Sequence, residues 1–166
     1  IFSAPVYSGC KDEQAGYALP GSTVATGARY WVALLGLLSG ARLNEICQLD
    51  VADIRLIEGV ACLVISEESV TGGRDKSLKN KASARIVPLH PILLQLGFMD
   101  FVDRKRRSGA FKLFDDLPEG AKGFRSVAFS RWFARFLVRS SASAPQTCYH
   151  SFRHGFRDAA RNARID

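Results

Sequence analysis

The run Tyr30 to Leu38 is apolar at every position. A helix over Thr23 to Leu38 would carry Trp31, Val32, Leu34, Leu35, Leu37 and Leu38, apolar nearly all round. Such a helix has no face to offer water, so the rest of the chain must wrap it. The run is far too short to cross a bilayer, which takes about 20 apolar residues. The expectation is a buried central helix and no membrane partner. Ser39-Gly40 interrupts the pattern, and Ala41 to Leu49 reads as a second, shorter helix with Arg42 and Glu45 on one side.

Downstream the period changes. Ile54 to Ile57 and Val60 to Ile65 read as strands, with Glu58-Gly59 as a two-residue hairpin turn. Arg85-Ile86-Val87 is a third short strand stopped by Pro88. Between the second and third strands lies the polar stretch Ser66 to Ala84, a long connection of the kind that more often serves function than idles. Helical spacing then returns in a short helix from Pro91 to Leu96 and in a segment with Phe98, Phe101 and Val102 that ends in Arg104-Lys105-Arg106-Arg107. Residues 114–124 read as a loop. From Ser126 to Arg139, the residues Phe129, Trp132, Phe133, Phe136 and Leu137 share one face. Arg131, Arg135 and Arg139 form a stripe on another. A last helix, His150 to Ala163, is expected to bury Phe152, Phe156, Ala159, Ala160 and Ala163 and to turn Arg157 and Arg161 away from them. Residues 1–22, rich in Pro and Gly, read as an irregular lead-in. The architecture predicted is mainly α with a small antiparallel three-stranded β-sheet (α+β), in one domain over residues 1–166.

Charge suggests the partner. The net charge is +7 over 166 residues, but residues 1–100 carry 9 basic and 10 acidic side chains while 101–166 carry 14 and 6. Arginine outnumbers lysine 16 to 7, and its planar fork of donors suits phosphate oxygens. Nucleic acid is the anionic partner this favours over an acidic membrane, with Arg131, Arg135, Arg139, Arg157 and Arg161 as candidate backbone contacts. Cys10, Cys47, Cys62 and Cys148 form no C-x-x-C pair and lie in apolar surroundings. They read as reduced, buried thiols of a cytoplasmic protein.

Three pieces point to chemistry. Arg42 follows a buried helix, which would hold it at a fixed depth; taken alone it reads as a surface charge paired with Glu45. His150 and Arg153, at i and i+3, can converge on one spot. Lys79, in Lys79-Asn80-Lys81, lies on a strand-flanked loop where an ammonium can swing toward a ligand and donate a proton. A zinc site from Cys148, His150 and His154 lacks a second cysteine at usable spacing, and Arg153 would crowd the metal. No metal and no cofactor is expected.

In this order the three pieces resemble the phage-integrase type of tyrosine recombinase over Tyr30 to Asp166. G-A-R-L-N-E-I-C-Q-L resembles that family's first-arginine motif, K-N-K-A-S-A-R-I-V-P-L its lysine-bearing β-hairpin, and H-S-F-R-H its H-x-L-R-H box. The resemblance implies a tyrosine-recombinase catalytic domain fold and site-specific DNA recombination, integration or excision, of the kind used by phages and mobile elements. It implies attack by a tyrosine on a DNA phosphate, a 3′-phosphotyrosyl link and a homotetramer on DNA in the full-length protein. Arg42 and Arg153 would clamp the phosphate, His150 would assist proton transfer, and Lys79 would be the general acid, with Lys81 the alternative. Glu45 would orient Arg42, and His154 would support the site from behind.

One departure matters. The family places a further His or Trp and then the nucleophilic tyrosine after the box, but here Asp166 follows Arg153 by thirteen residues. Tyr7, Tyr17, Tyr30 and Tyr149 do not match the nucleophile's position. The expectation is therefore an incomplete catalytic domain without its nucleophile and without the family's N-terminal DNA-binding domain, inactive as it stands. The alternative is a DNA-binding module or a decayed, non-catalytic integrase.

Overall fold

The structure is a computed structural model that describes residues 1–73, 75–121 and 123–165, with all of their side chains except that of Lys81. The lead-in forms a single turn, α1 (Pro5–Ser8), and Cys10 then pairs with Thr23 through backbone bonds of 2.8 and 2.9 Å. That pairing holds Thr23 extended, so the central helix α2 spans Ala28–Ser39 and not Thr23 to Leu38. The Asp116 carboxylate accepts from the Ala28 N–H at 2.8 Å and sets its start. Trp31, Val32, Ala33 and Leu35 are buried, as the all-round apolar pattern requires.

Gly40 ends α2 in the left-handed region at φ +60°, which costs a glycine nothing. The chain turns there into α3 (Leu43–Cys47), shorter than the expected Ala41 to Leu49 because Arg42 stays extended ahead of it. Strands β1 (Ile54–Ile57), β2 (Val60–Ile65) and β3 (Arg85–Pro88) make an antiparallel sheet in the order β1-β2-β3. Glu58 and Gly59 both have positive φ, the turn that matches strand twist in a two-residue hairpin. Pro88 pairs opposite Cys62 at the end of β3, the free edge where a missing N–H is tolerated.

Helices α4 (Pro91–Gln95) and α5 (Phe98–Arg107) follow, then α6 (Ser126–Arg139) and α7 (His150–Asn162). The core is largely aromatic. Trp31 meets Phe98 and Phe101 on one flank of α2, and Phe129, Trp132, Phe133 and Phe136 stack along α6 on the other. The lead-in joins this core, since Val6 and Tyr17 are buried.

Two expectations fail. No residue of α7 is buried: Phe152 is half-buried, Phe156 is 39% exposed, and Ala159 and Ala163 are open to solvent. Its apolar face finds α2 only near its first turns. Cys148 is exposed, because it sits in the open connection before α7; the other three thiols are free and buried. Among the described residues no helix is long and apolar enough to cross a membrane.

Candidate functional site

The turn between α2 and α3 places Arg42 at the mouth of a cavity. Glu45, one turn into α3, is 2% exposed and holds Arg42 from two sides. Its Oε1 accepts from Arg42 Nη1 at 2.7 Å and its Oε2 accepts the Arg42 backbone N–H at 2.9 Å. The same Oε2 accepts from Arg85 Nη2 at 2.8 Å. Burial pushes the Glu45 carboxyl up, but the Arg85 and Arg42 donors outweigh it and keep it below its ordinary value. One buried carboxylate thus aligns two guanidinium groups. Arg42 Nη1 also reaches Ser83 Oγ at 3.1 Å. Among the described residues its Nε and Nη2 find no acceptor, which leaves part of its donor fork open to a ligand.

Helix α7 brings the second arginine to the same turn. Arg153 Nη1 donates to the carbonyl of Gly40 at 2.6 Å. Arg153 loses protons more readily than an ordinary guanidinium, first through partial burial and then through repulsion from Arg42 and Arg85. Two elements fix α7 there. Tyr149, buried ahead of its first turn, donates to the Val32 carbonyl at 2.9 Å, and its hydroxyl fills the space beside Gly36. The Phe156 ring lies against Gly40 so closely that a Cβ there would come within 2.6 Å of it.

His150 is exposed yet titrates below the ordinary histidine value. Partial desolvation contributes most, followed by the positive charge of His154, Arg153, Arg42 and Lys79. The positive charge acting on His150 thus comes from its own helix and from Arg42 and Lys79. The exposed His154 ring meets the His150 ring edge-on at 4.8 Å. Lys79 and Arg42 line a common cavity of about 360 Å³.

Lys79 is presented by a loop with a firm base. Lys76, nearly inaccessible, donates to Asp50 Oδ2 at 2.8 Å, Asp53 Oδ2 at 2.7 Å and the Glu68 carbonyl at 2.7 Å. Lys112 bridges Asp50 at 2.7 Å and Asp75 at 2.6 Å. Gln48 Oε1 then accepts the Ser77 N–H at 2.9 Å, and Glu67 Oε1 accepts the Leu78 N–H at 3.0 Å. Each residue from Asp75 to Leu78 is tied down, and Lys79 is the next one along.

Arg42, Glu45 and Lys79 line one cavity; His150 and Arg153 are not among its lining, and Arg153 is tied to Gly40, two residues before Arg42. The side chain of Lys81 lies outside the described residues. The α6 stripe does not act as one row. Arg131 is exposed, whereas Arg135 lines a separate cavity with Arg29, Glu13 and Asp116. Arg139 lies over the Tyr17 ring at 5.2 Å and donates to the Ala15 carbonyl at 3.3 Å. The stripe splits because the lead-in folds across the end of α6. Arg157 is exposed but close enough to act on Arg153, and Arg161 is exposed one turn farther out.

Sequence reasoning missed Arg85, Ser83 and the Lys76 anchor. Arg85 left a signal: it has the same strand parity as the half-buried Val87, with Ile86 exposed between them. A charge in the inward register of a strand asks for a buried partner, and Glu45 is that partner. Of the four tyrosines, Tyr149 is fully engaged with α2, and burial drives its hydroxyl pKa far up. None of the four lines the cavity.

Among the described residues no three His, Cys, Asp or Glu side chains gather closely enough to hold a metal ion. Compared with known proteins, the chain matches no family model, no curated protein and no solved structure.

Proposed function

We propose that this chain grips a backbone phosphate of double-stranded DNA and forms the cationic part of a strand-breaking and rejoining centre of the tyrosine-recombinase type. The main support is that Arg42 and Lys79 line one cavity, while Arg153, on the helix that also carries His150, bonds to Gly40 two residues before Arg42, with Glu45 buried beside Arg42. Binding alone would be served by scattered surface arginines. A buried carboxylate that aligns two guanidinium groups beside an imidazole and an ammonium suits a phosphate that gains charge during reaction.

In this reading Arg42 and Arg153 neutralise the nonbridging oxygens of the phosphate. His150, whose pKa is lowered by partial desolvation and then by its positive neighbours, accepts or shares a proton near the attacked phosphorus. Lys79, fixed by the tied loop, protonates the departing 5′ oxygen. The attacking hydroxyl must come from a tyrosine outside these 166 residues, and site-specific recombination would be the outcome. The second reading is a DNA-binding module or decayed integrase without chemistry of its own. The absence of a tyrosine from the cavity favours that reading for the chain by itself.

The test is duplex binding by the chain and its variants at two salt concentrations. Affinity should fall by about tenfold or more between roughly 50 and 200 mM salt, as condensed counterions are no longer released at a gain. Arg42→Ala and Arg153→Ala should each weaken binding at low salt. Salt-independent affinity, or full affinity in both variants, would remove the phosphate site. In a longer protein that contains this chain and cleaves DNA, the same variants should abolish cleavage. Near-normal cleavage would favour the binding-only reading.

A further inference from the structure

The cavity beside Arg42 has a wall that a phosphate does not use. Leu78, Phe124 and Val127 line it together with Arg42 and Lys79. Phe124 is 39% exposed and Val127 40% exposed, so an aromatic ring and a branched side chain stand open to water next to two cations.

The cavity's polar groups already bond to one another. Asn44 Nδ2 donates to Gln48 Oε1 at 3.0 Å, and Ser126 Oγ donates to Asn44 Oδ1 at 2.9 Å. Ser77 gives its N–H to the same Gln48 oxygen. The wall is therefore suited to recognise a flat apolar face and not a hydrogen-bonding pattern.

A free inorganic anion would satisfy the cations and leave the wall wet. A nucleotide offers a phosphate for the cations and a planar ring for the wall. Within a duplex that ring is stacked between its neighbours and cannot lie on Phe124, so only an unstacked nucleotide can occupy both parts. Stacking on an aromatic side chain tolerates any base, because every base has a π-face.

We propose that Leu78, Phe124 and Val127 bind the base of an unpaired nucleotide whose phosphate is held by Arg42. The chain then prefers DNA with an extrahelical nucleotide at the gripped phosphate, whatever its base. This rests on the phosphate reading of Arg42 and Lys79.

Three duplexes of equal length test it by fluorescence anisotropy: fully paired, with one unpaired adenine, and with an abasic residue in place of that adenine. The abasic duplex keeps the bend and flexibility of the bulge but lacks the ring. The expected result is that the adenine bulge binds about fivefold or more tighter than the other two. Phe124→Ala should lose that advantage and keep paired-duplex affinity within about twofold, since the ring contributes only when a base lies on it. Phe124→Trp should restore the preference.

Equal affinity for all three duplexes would overturn the proposal, as would an advantage that survives in Phe124→Ala. Deoxyadenosine monophosphate that bound as tightly as the bulged duplex would also overturn it, by making the occupant a free nucleotide. If no duplex bound with salt dependence, or if Arg42→Ala bound all three as the parent does, the phosphate reading itself would fail. If duplexes bind through Arg42 without preference for the bulge, only the role of the wall is lost.

Discussion

Arg153 of α7 and Gly40 at the end of α2 are joined by a single 2.6 Å hydrogen bond, two residues before Arg42. The bond runs from a charged donor to a main-chain acceptor, so the position of one arginine reports on the turn that carries the other. Phe156 closes over the same glycine. With no buried residue of its own, α7 is held by these contacts, by Tyr149 and by the half-buried Phe152, which packs on Phe2, Phe133 and Tyr149.

Gly40→Ala should therefore loosen α7 selectively. The alanine meets a positive φ and the Phe156 ring together. We expect a stability loss of about 1–2 kcal/mol and faster amide exchange across residues 150–162, with protection in α2 and α6 retained. Unchanged exchange in α7 would show that Gly40 does not hold it.

His150 should report an arriving anion. Its pKa is depressed by partial desolvation and by surrounding positive charge, so a phosphate beside those charges must raise it. An imidazole proton titration by NMR, with and without a short duplex, should show an upward shift on binding. A pKa that stays put or falls would place the anion elsewhere.

Acid should destabilise the fold through Glu45 and Asp50. Both carboxyls sit below their ordinary values in the folded chain, so the unfolded chain holds their protons more tightly. Their contribution is present above the unfolded pKa and is lost as pH falls through the folded one. Asp53 runs the other way, because burial raises it and acid relieves that cost. The denaturant midpoint should fall below about pH 4, and Glu45→Gln should make that fall shallower. An equally steep fall in the variant would remove Glu45 from the acid transition.

Lys76→Met should cost about 3–5 kcal/mol, since it leaves Asp53 buried without its cation and Asp50 with Lys112 alone. Urea denaturation measures it directly. A loss below about 1 kcal/mol would mean that the anchor of the Lys79 loop is replaceable.

Much of this was legible before any coordinates. The heptad-like aromatic pattern of Ser126 to Arg139 and the alternation about Glu58-Gly59 mark elements whose local signal and tertiary burial agree. Where they disagree, the sequence misleads. The 3.6-residue pattern in α7 names an apolar face but cannot say whether anything covers it, and here most of it is open. Thr23 looks helical locally and is held extended by Cys10. The Arg131, Arg135 and Arg139 stripe is regular along α6, yet Arg139 is claimed by Tyr17 and Ala15 from the far end of the chain. Arg42, Arg153 and Lys79 stood out through the motifs that carry the family resemblance, since each taken alone reads as an ordinary surface charge. Arg85 showed only in its inward register on β3, and Lys76 not at all, because their meaning lies in partners 40 and 23 residues away.

The central proposal is one phosphate shared between Arg42 and Arg153. Side-chain ¹⁵Nε resonances of Arg42 and Arg153, followed while a short DNA duplex is titrated at low salt, test this most directly. Both signals should move along one binding curve with one midpoint, and replacing either arginine by alanine should shift the other's midpoint to higher duplex concentration. Movement of only one signal, or two separate midpoints, would contradict a common clamp.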